Sequence, residues 1–365
     1  MKNKKVDKFF LIVLFILIIF GAFMFVSASL GVLAKNKEIF YGLLKSQLIL
    51  GIGAGLLGMY LTYKIDYKLW RKYAVHIFIF AVLLTVSVFL PNFGWSHGGA
   101  ERWIKLGPIS FQPAEILKIA FVIFFAMWLS YVKNKVEKFK YGILPLIGIL
   151  GLLGLILLNQ PDTKSFILIT TTGIAMLFIA GGKIRQILAI GLLAIISLSI
   201  LVFYTPYLQK RIETFINPSA DARGSAYQVQ QSQIALGTGG LLGRGYGQSV
   251  QKFKYLPEAQ GDSIFAVVGE EFGFVGSVLL ILLYCVFGLR GLKIANNAPD
   301  DFSRLLVFGI VIMVIAQSFM HIAAVVGVFP LTGVPLVFMS HGGTSLMIYL
   351  SAMGIILQIS KLQRK

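Results

Sequence analysis

The chain has 365 residues, 57% of them hydrophobic and only 13% charged, and its mean hydropathy is +0.82, which excludes a soluble globular domain. A net charge of +18 raises nucleic acid as a partner, and the distribution of that charge decides the matter below. The single cysteine, Cys285, excludes an intrachain disulfide and any cysteine-based metal site.

A basic segment, Met1–Lys8, precedes the first apolar run, 9–30. It has the look of a secretory leader, but the run continues to Leu30 without a small-x-small cleavage site and reads as a retained anchor. Further apolar runs cover 46–65, 73–91, 113–132, 142–158, 165–181, 184–205, 263–289, 304–328 and 342–360. Each is long enough for a hydrocarbon core about 30 Å thick. No β-barrel alternation is present, so helices that satisfy their own backbone groups are expected. The expected fold class is an all-α polytopic membrane protein of about ten transmembrane helices. A single domain, 1–365, carries a large extracytoplasmic loop between helices seven and eight.

Placing the N-terminus in the cytoplasm puts 20 of the 33 basic residues on inside segments, whereas Pro330–His341 on the outside has none. That is the positive-inside pattern and assigns both termini to the cytoplasm. The basic excess is therefore topology, and no nucleic-acid partner is expected.

Two outer loops are long, Pro91–Gln112 and Thr205–Gly261. Loops as long as the second are functional or disordered. Its aromatic and aliphatic residues argue for order, with a short amphipathic helix over Arg223–Leu236. Gly237–Gly247 then has six glycines in eleven residues, a tight loop that lines something. It is not a phosphate-binding P-loop, because no Lys-Ser/Thr pair follows and no strand precedes it.

Ionisable residues at membrane depth mark sites or pairs. Asp262 stands where the eighth span begins, with Glu270 and Glu271 two turns further on. It reads as a reactive carboxylate or as a helix cap. Asp162 likewise reads as a site residue or a cap for the sixth helix, and Glu115 with Lys118 as a site pair or a structural ion pair. Glu270 and Glu271 read first as inter-helix bonding groups. His321 and His341 have no metal-ligand spacing. The outer-face polar residues are mostly cations around one or two acids. That mixture suits a pyrophosphate ester, with cations on the leaving group and a carboxylate taking a proton. A transporter would place such groups at mid-bilayer in two related halves.

The residues resemble the SEDS family (shape, elongation, division and sporulation). The resemblance rests on eight motifs in order: Arg102–Lys118, Gln160-Pro-Asp162, Tyr227–Gly237, Tyr255-Leu-Pro-Glu258, Asp262-Ser-Ile-Phe265, Glu270–Gly276, Pro330-Leu-Thr-Gly333 and Ser340–Ser345. It implies a peptidoglycan glycosyltransferase that polymerises lipid II into glycan strands and releases undecaprenyl pyrophosphate, in the bacterial plasma membrane. It implies that Asp262 is the catalytic base. The substrate cavity it implies is lined by Arg102, Glu115, Lys118, Asp162, Arg223, Arg244, Glu258 and Ser340. Implied partners are a class B penicillin-binding protein and other divisome or elongasome membrane proteins. No metal ligand set is called for, and a divalent cation, Mg or Mn, is compatible with Asp262, Asp162 and Glu258. Gln251–Glu258 and Ala298–Phe302 lean toward the division branch, with elongation the near alternative and a lipid II flippase a distant one. Departures from the family pattern are Gln260-Gly261, Ser263, Thr163-Lys164, His321 and His341.

Overall fold

The structure is a computed structural model describing residues 5–90, 93–97, 100–107, 109–217 and 225–363. Its apolar helices begin where polar side chains can hold free backbone N–H groups. Asp7 caps α1 (Lys8–Leu33), accepting from Phe10 N at 2.9 Å, and Asn36 caps α2 (Lys37–Lys45), accepting from Ile39 N at 3.0 Å. A π-helical stretch, Ser46–Gly53, joins α2 to α3 (Ala54–Lys64) in one span, 37–64. Asp66 caps α4 (Tyr67–Val86).

The first long loop, between α4 and α5, folds into a small antiparallel sheet that its sequence did not announce. Strands β1 (Gly94–His97), β2 (Ala100–Leu106) and β3 (Ile109–Phe111) lie in the order β1-β2-β3. Helix α5 (Pro113–Val132) follows, with Pro113 in its first turn. Next come α6 (Ile143–Asn159), α7 (Thr163–Ile179) and α8 (Ile184–Tyr204).

The long loop after α8 holds α9 (Pro206–Ile216), α10 (Ser225–Thr238) and α11 (Gln251–Lys254). The amphipathic helix expected over Arg223–Leu236 is thus α10, described from Ser225 onward, and α9 was not foreseen. The chain finishes with α12 (Ile264–Asn296), α13 (Asp301–Val325) and α14 (Gly343–Ser360). Asp300 and Ser303 form a reciprocal capping box at the start of α13. Among the described residues eight helical spans are long and apolar enough to cross a membrane, and α6 and α7 are shorter apolar helices. Together they match the ten runs expected.

Helix α12 corrects one expectation. The eighth apolar run, 263–289, predicts an unbroken span, but Gly273 (φ 67°, ψ −164°) breaks its helix. The glycine-rich loop repairs the break. Phe274 N and Val275 N donate to Gly240 O and Leu241 O, at 2.8 and 3.1 Å. In return Arg244 N and Gly245 N donate to Glu270 O and Glu271 O, both at 3.0 Å. A broken membrane helix is tolerated only where freed groups are re-satisfied in this way. Gly243 (φ 82°) sits so close that a Cβ would run into Glu271 O, and one on Gly273 would run into Gly243 N.

Helix α13 is the hub, packing on α5, α7 and α12, while α14 packs along α3 and α1 along α12. By contrast α8 is mostly exposed at the edge. Asp7 N bonds Ser360 Oγ at 3.2 Å, and Arg290 Nη2 lies 2.8 Å from Asp7 Oδ2. Both ends of the bundle's chain therefore lie on one face, with the start of α13. Asp262 lies at the other face.

Candidate active site

The turn before α12 is built to present Asp262. Glu258 adopts φ 46°, a left-handed conformation that costs energy for a non-glycine residue, and its carbonyl accepts from Gly261 N and Ser263 N at 2.9 and 3.2 Å. Ser263 Oγ closes the turn on Pro257 O (3.0 Å) and accepts from Gln228 Nε2 of α10 (3.0 Å). From the other side, Ser340 Oγ donates to Gly261 O at 2.8 Å and His341 N to Gln260 O at 2.8 Å. Gln47, in the π-helical stretch, fixes that segment in turn. Its amide donates to Ser340 O and accepts from Gly342 N, both at 3.1 Å.

Asp262 is not the helix cap. That position is Ser263, and among the described residues the Asp262 carboxylate is committed to no hydrogen bond or salt bridge. It is half-buried beside Gly333, where a Cβ would stand 3.1 Å from Asp262 Oδ2 and 4.0 Å from Arg211 Nη2. Gly333 (φ 66°) therefore keeps the space above the carboxylate open.

Cations lie near it. Arg211, on α9, stacks on Tyr207 with its guanidinium 4.5 Å from the ring centre. Burial pushes its pKa below the usual arginine range. Tyr207 and Asp262 pull it back up, and Arg102 adds a push downward. Arg211, Asp262 and Arg102 thus share one electrostatic environment.

Arg102 is aimed by a β-bulge, since Trp95 pairs with Trp103 and Ser96 with Glu101, leaving Arg102 as the extra residue. Its Nε donates to Gln160 O at 2.9 Å. Lys164, at the start of α7, donates to Gly333 O at 2.6 Å and brings a third cation to the residue beside Asp262.

The remaining expected site residues separate into groups. Asp162 is fully buried, caps α7 through Ser165 N (3.4 Å) and accepts from Gln112 Nε2 (2.7 Å). Its cap reading holds, and it braces the strand-to-helix junction behind Arg102. Lys118 is 2% exposed and bonds Glu115 (2.9 Å) and Gln317 (2.8 Å). Ser345 donates to Glu115 and Tyr349 to Gln317. The cavity beside this network, lined by Gln317, Ser340 and Ser345, holds about 10 Å³, barely one water. Glu115 and Lys118 therefore form a closed network joining α5, α13 and α14 rather than open lining for a pyrophosphate, because charges inside a membrane bundle pair.

Arg244 also departs from the expectation. Its Nε sits 3.7 Å from Glu270 Oε1 and its backbone is tied to the helix break, two turns from Asp262. Arg223 lies outside the described residues. Glu258 and Ser340 belong to the turn and its clamp.

Glu270 accepts from Ser249 Oγ (2.5 Å), Val250 N (2.9 Å) and Gln251 N (3.3 Å). Glu271 pairs with Lys252 at 2.6 Å and with Ser27 at 2.6 Å, both ions fully buried. The inter-helix reading of these acids holds.

Arg211, Gln47, Gln228 and Gln317 were missed as site residues. Lone amides inside apolar runs are the signal that marks Gln47 and Gln317. Among the described residues no three His, Cys, Asp or Glu side chains cluster as a metal would need. Asp162 already accepts from Gln112 Nε2 and Ser165 N.

Comparison with known proteins extends this geometry. The family model described as "Cell cycle protein", of FtsW, RodA and SpoVE, matches residues 7–365. A protein of Geobacter sp. (strain M18), named "Probable peptidoglycan glycosyltransferase FtsW", is 37% identical over 364 residues, covering 99% of each chain. Stage V sporulation protein E of Bacillus subtilis (strain 168) is 37% identical over 366 residues, covering 100% of this chain and 99% of the relative. A solved chain described under structural coordination of polymerization and crosslinking by a peptidoglycan synthase complex aligns with TM-score 0.77 and 26% identity over 97% of both chains. Thermus thermophilus RodA aligns with TM-score 0.72 over 99% of this chain and 98% of its own, at 23% identity, a likeness of fold.

Proposed function

The chain belongs to the FtsW, RodA and SpoVE family of cell cycle proteins, the SEDS family, and from that membership we propose that it is a peptidoglycan glycosyltransferase that polymerises lipid II. The observation that carries this reading is the Asp262 carboxylate, bonded to none of the described residues and held on a clamped turn near Arg211, Arg102 and Lys164.

Asp262 accepts the proton of the acceptor sugar's 4-hydroxyl as that oxygen bonds to the donor's anomeric carbon. The bond from that carbon to the pyrophosphate oxygen breaks, and undecaprenyl pyrophosphate leaves with the electron pair. A single displacement inverts the anomeric centre. A sugar hydroxyl is a poor nucleophile, and a positioned base contributes about 10²–10⁴-fold. Arg211 and Arg102 hold the pyrophosphate, where developing charge meets fixed cations. A divalent ion carried in by the substrate would add charge neutralisation at the same oxygens.

The relatives named FtsW, alike over nearly the whole chain, support a role in septal synthesis during division over elongation. The synthase-complex likeness supports a class B penicillin-binding protein as partner. Basic residues gathered on the face that holds Lys64–Lys72, Lys133–Lys140 and Arg290–Arg304 support cytoplasmic termini and an extracytoplasmic Asp262.

The test is incubation of the purified chain with labelled lipid II, with and without its transpeptidase. A ladder of glycan polymer is expected. No polymer, with lipid II still crossing liposome bilayers, would replace this reading with the flippase.

A further inference from the structure

On the face opposite Asp262, a cavity of about 270 Å³ opens between the ends of α5 and α7 and the start of α13. Leu129, Val136 and Leu305, all buried, line it together with Lys133 and Arg304. Two observations mark it as more than a gap between helices. The Arg304 Nε is buried with no hydrogen-bond partner, a donor left to be satisfied. Lys133 is held at φ 48°, a strained conformation for lysine, and its ammonium has no partner among the described residues.

Two acids stand at the rim. Asp301 Oδ1 is 3.5 Å from Arg304 Nη2, and Glu137 Oε2 is 4.0 Å from Lys183 Nζ. Both carboxylates are more than half exposed, and Asp301 lies one turn outward of Arg304 on α13. Along α13 the order from membrane to water is therefore apolar floor, Arg304, then Asp301, with Lys133 and Glu137 both exposed at the rim. That order opposes a multiply charged anion. It matches a headgroup with a phosphodiester near the acyl chains and an ammonium outside it.

We propose that this cavity binds the phosphoethanolamine headgroup of a membrane phospholipid, with the phosphate on Arg304 Nε and Lys133 and the ammonium between Glu137 and Asp301. Basic pockets between helices at a membrane face are suited to lipid headgroups. None of these residues takes part in the chemistry at Asp262.

The test titrates phosphatidylethanolamine, phosphatidylglycerol and inorganic phosphate onto the purified full chain, with bound lipid counted by native mass spectrometry. One phosphatidylethanolamine should bind per chain. Arg304→Gln and Lys133→Gln should each weaken it by about tenfold, as expected for one lost charge-assisted hydrogen bond. Glu137→Gln/Asp301→Asn should erase the preference over phosphatidylglycerol. Lys133 is exposed, so its variant folds and keeps the test valid if Arg304→Gln does not. Equal binding by wild type and Lys133→Gln would overturn the site. Equal wild-type affinity for phosphatidylglycerol would overturn the assignment of the ammonium. Displacement by inorganic phosphate at matched concentration would overturn the lipid as its source.

Discussion

Asp262 and Glu271 lie nine residues apart at the start of one helix, yet their surroundings are opposite. Glu271 is fully buried, with Lys252 at 2.6 Å and Ser27 beside it, and Glu270 next to it takes two backbone N–H groups and a hydroxyl. Asp262 is half-buried and bonded to none of the described residues, although its turn is clamped from both sides. A saturated acid holds structure together, and an acid left open on a rigid mount is available to a substrate. The same contrast separates two cations. Lys118 is spent inside the Glu115–Gln317 network, whereas Arg211 shares its environment with Asp262.

The contrast breaks most visibly at Lys252. Lys252→Met strands the Glu271 charge in the bundle, and removing one partner of a buried pair costs about 3–5 kcal/mol. Thermal unfolding in detergent should show a large fall in Tm, with much of it restored by Lys252→Met/Glu271→Met. A single variant as stable as wild type would end the structural reading of that pair.

Arg211→Ala is expected to act on catalysis instead. Losing a charge-assisted hydrogen bond to pyrophosphate is worth about 1.5–3 kcal/mol, so kcat/KM should fall by roughly 10- to 100-fold. Tm should change little, as measured on the same preparation.

Lys164→Ala removes the tie from α7 to Gly333 O. One net hydrogen bond is worth about 1 kcal/mol, which predicts a loss of about fivefold, carried by kcat if Gly333 positions the space above Asp262.

The smallest effect is expected at His341, stacked on Phe25 at 6.0 Å. Burial lowers its pKa, so the folded protein keeps it neutral where the unfolded chain, at about 6.5, would already bind a proton. Its contribution to stability is present above that value and is lost as pH falls below it. Wild type should therefore lose Tm below pH 6.5 more steeply than His341→Gln.

The ten spans were legible because long apolar runs admit one structure in a bilayer. The caps at Asp162 and the bonding role of Glu270 and Glu271 were legible for a related reason, since buried acids must be satisfied. The break at Gly273 was hidden, because hydropathy runs unbroken across it and its cause, the glycine loop, lies some thirty residues upstream. The bulge at Arg102 was equally hidden. Strands of three to seven residues in a loop carry no readable alternation. Glu115 and Lys118 showed their pairing at i,i+3, but Gln317, which closes the network, is 199 residues away from Lys118. Nothing in the sequence sets Arg211 apart from the other cations of its loop, and only α9 brings it near Asp262.

The central claim is that the open acid does chemistry while the saturated acids hold the fold. The direct test compares lipid II polymerisation and Tm for wild type, Asp262→Asn and Glu270→Gln, each with the transpeptidase bound. Asp262→Asn should lose about 10²-fold or more of its polymerase activity at unchanged Tm, and Glu270→Gln should lose Tm while its folded fraction still polymerises. Polymerisation by Asp262→Asn at the wild-type rate would contradict the account.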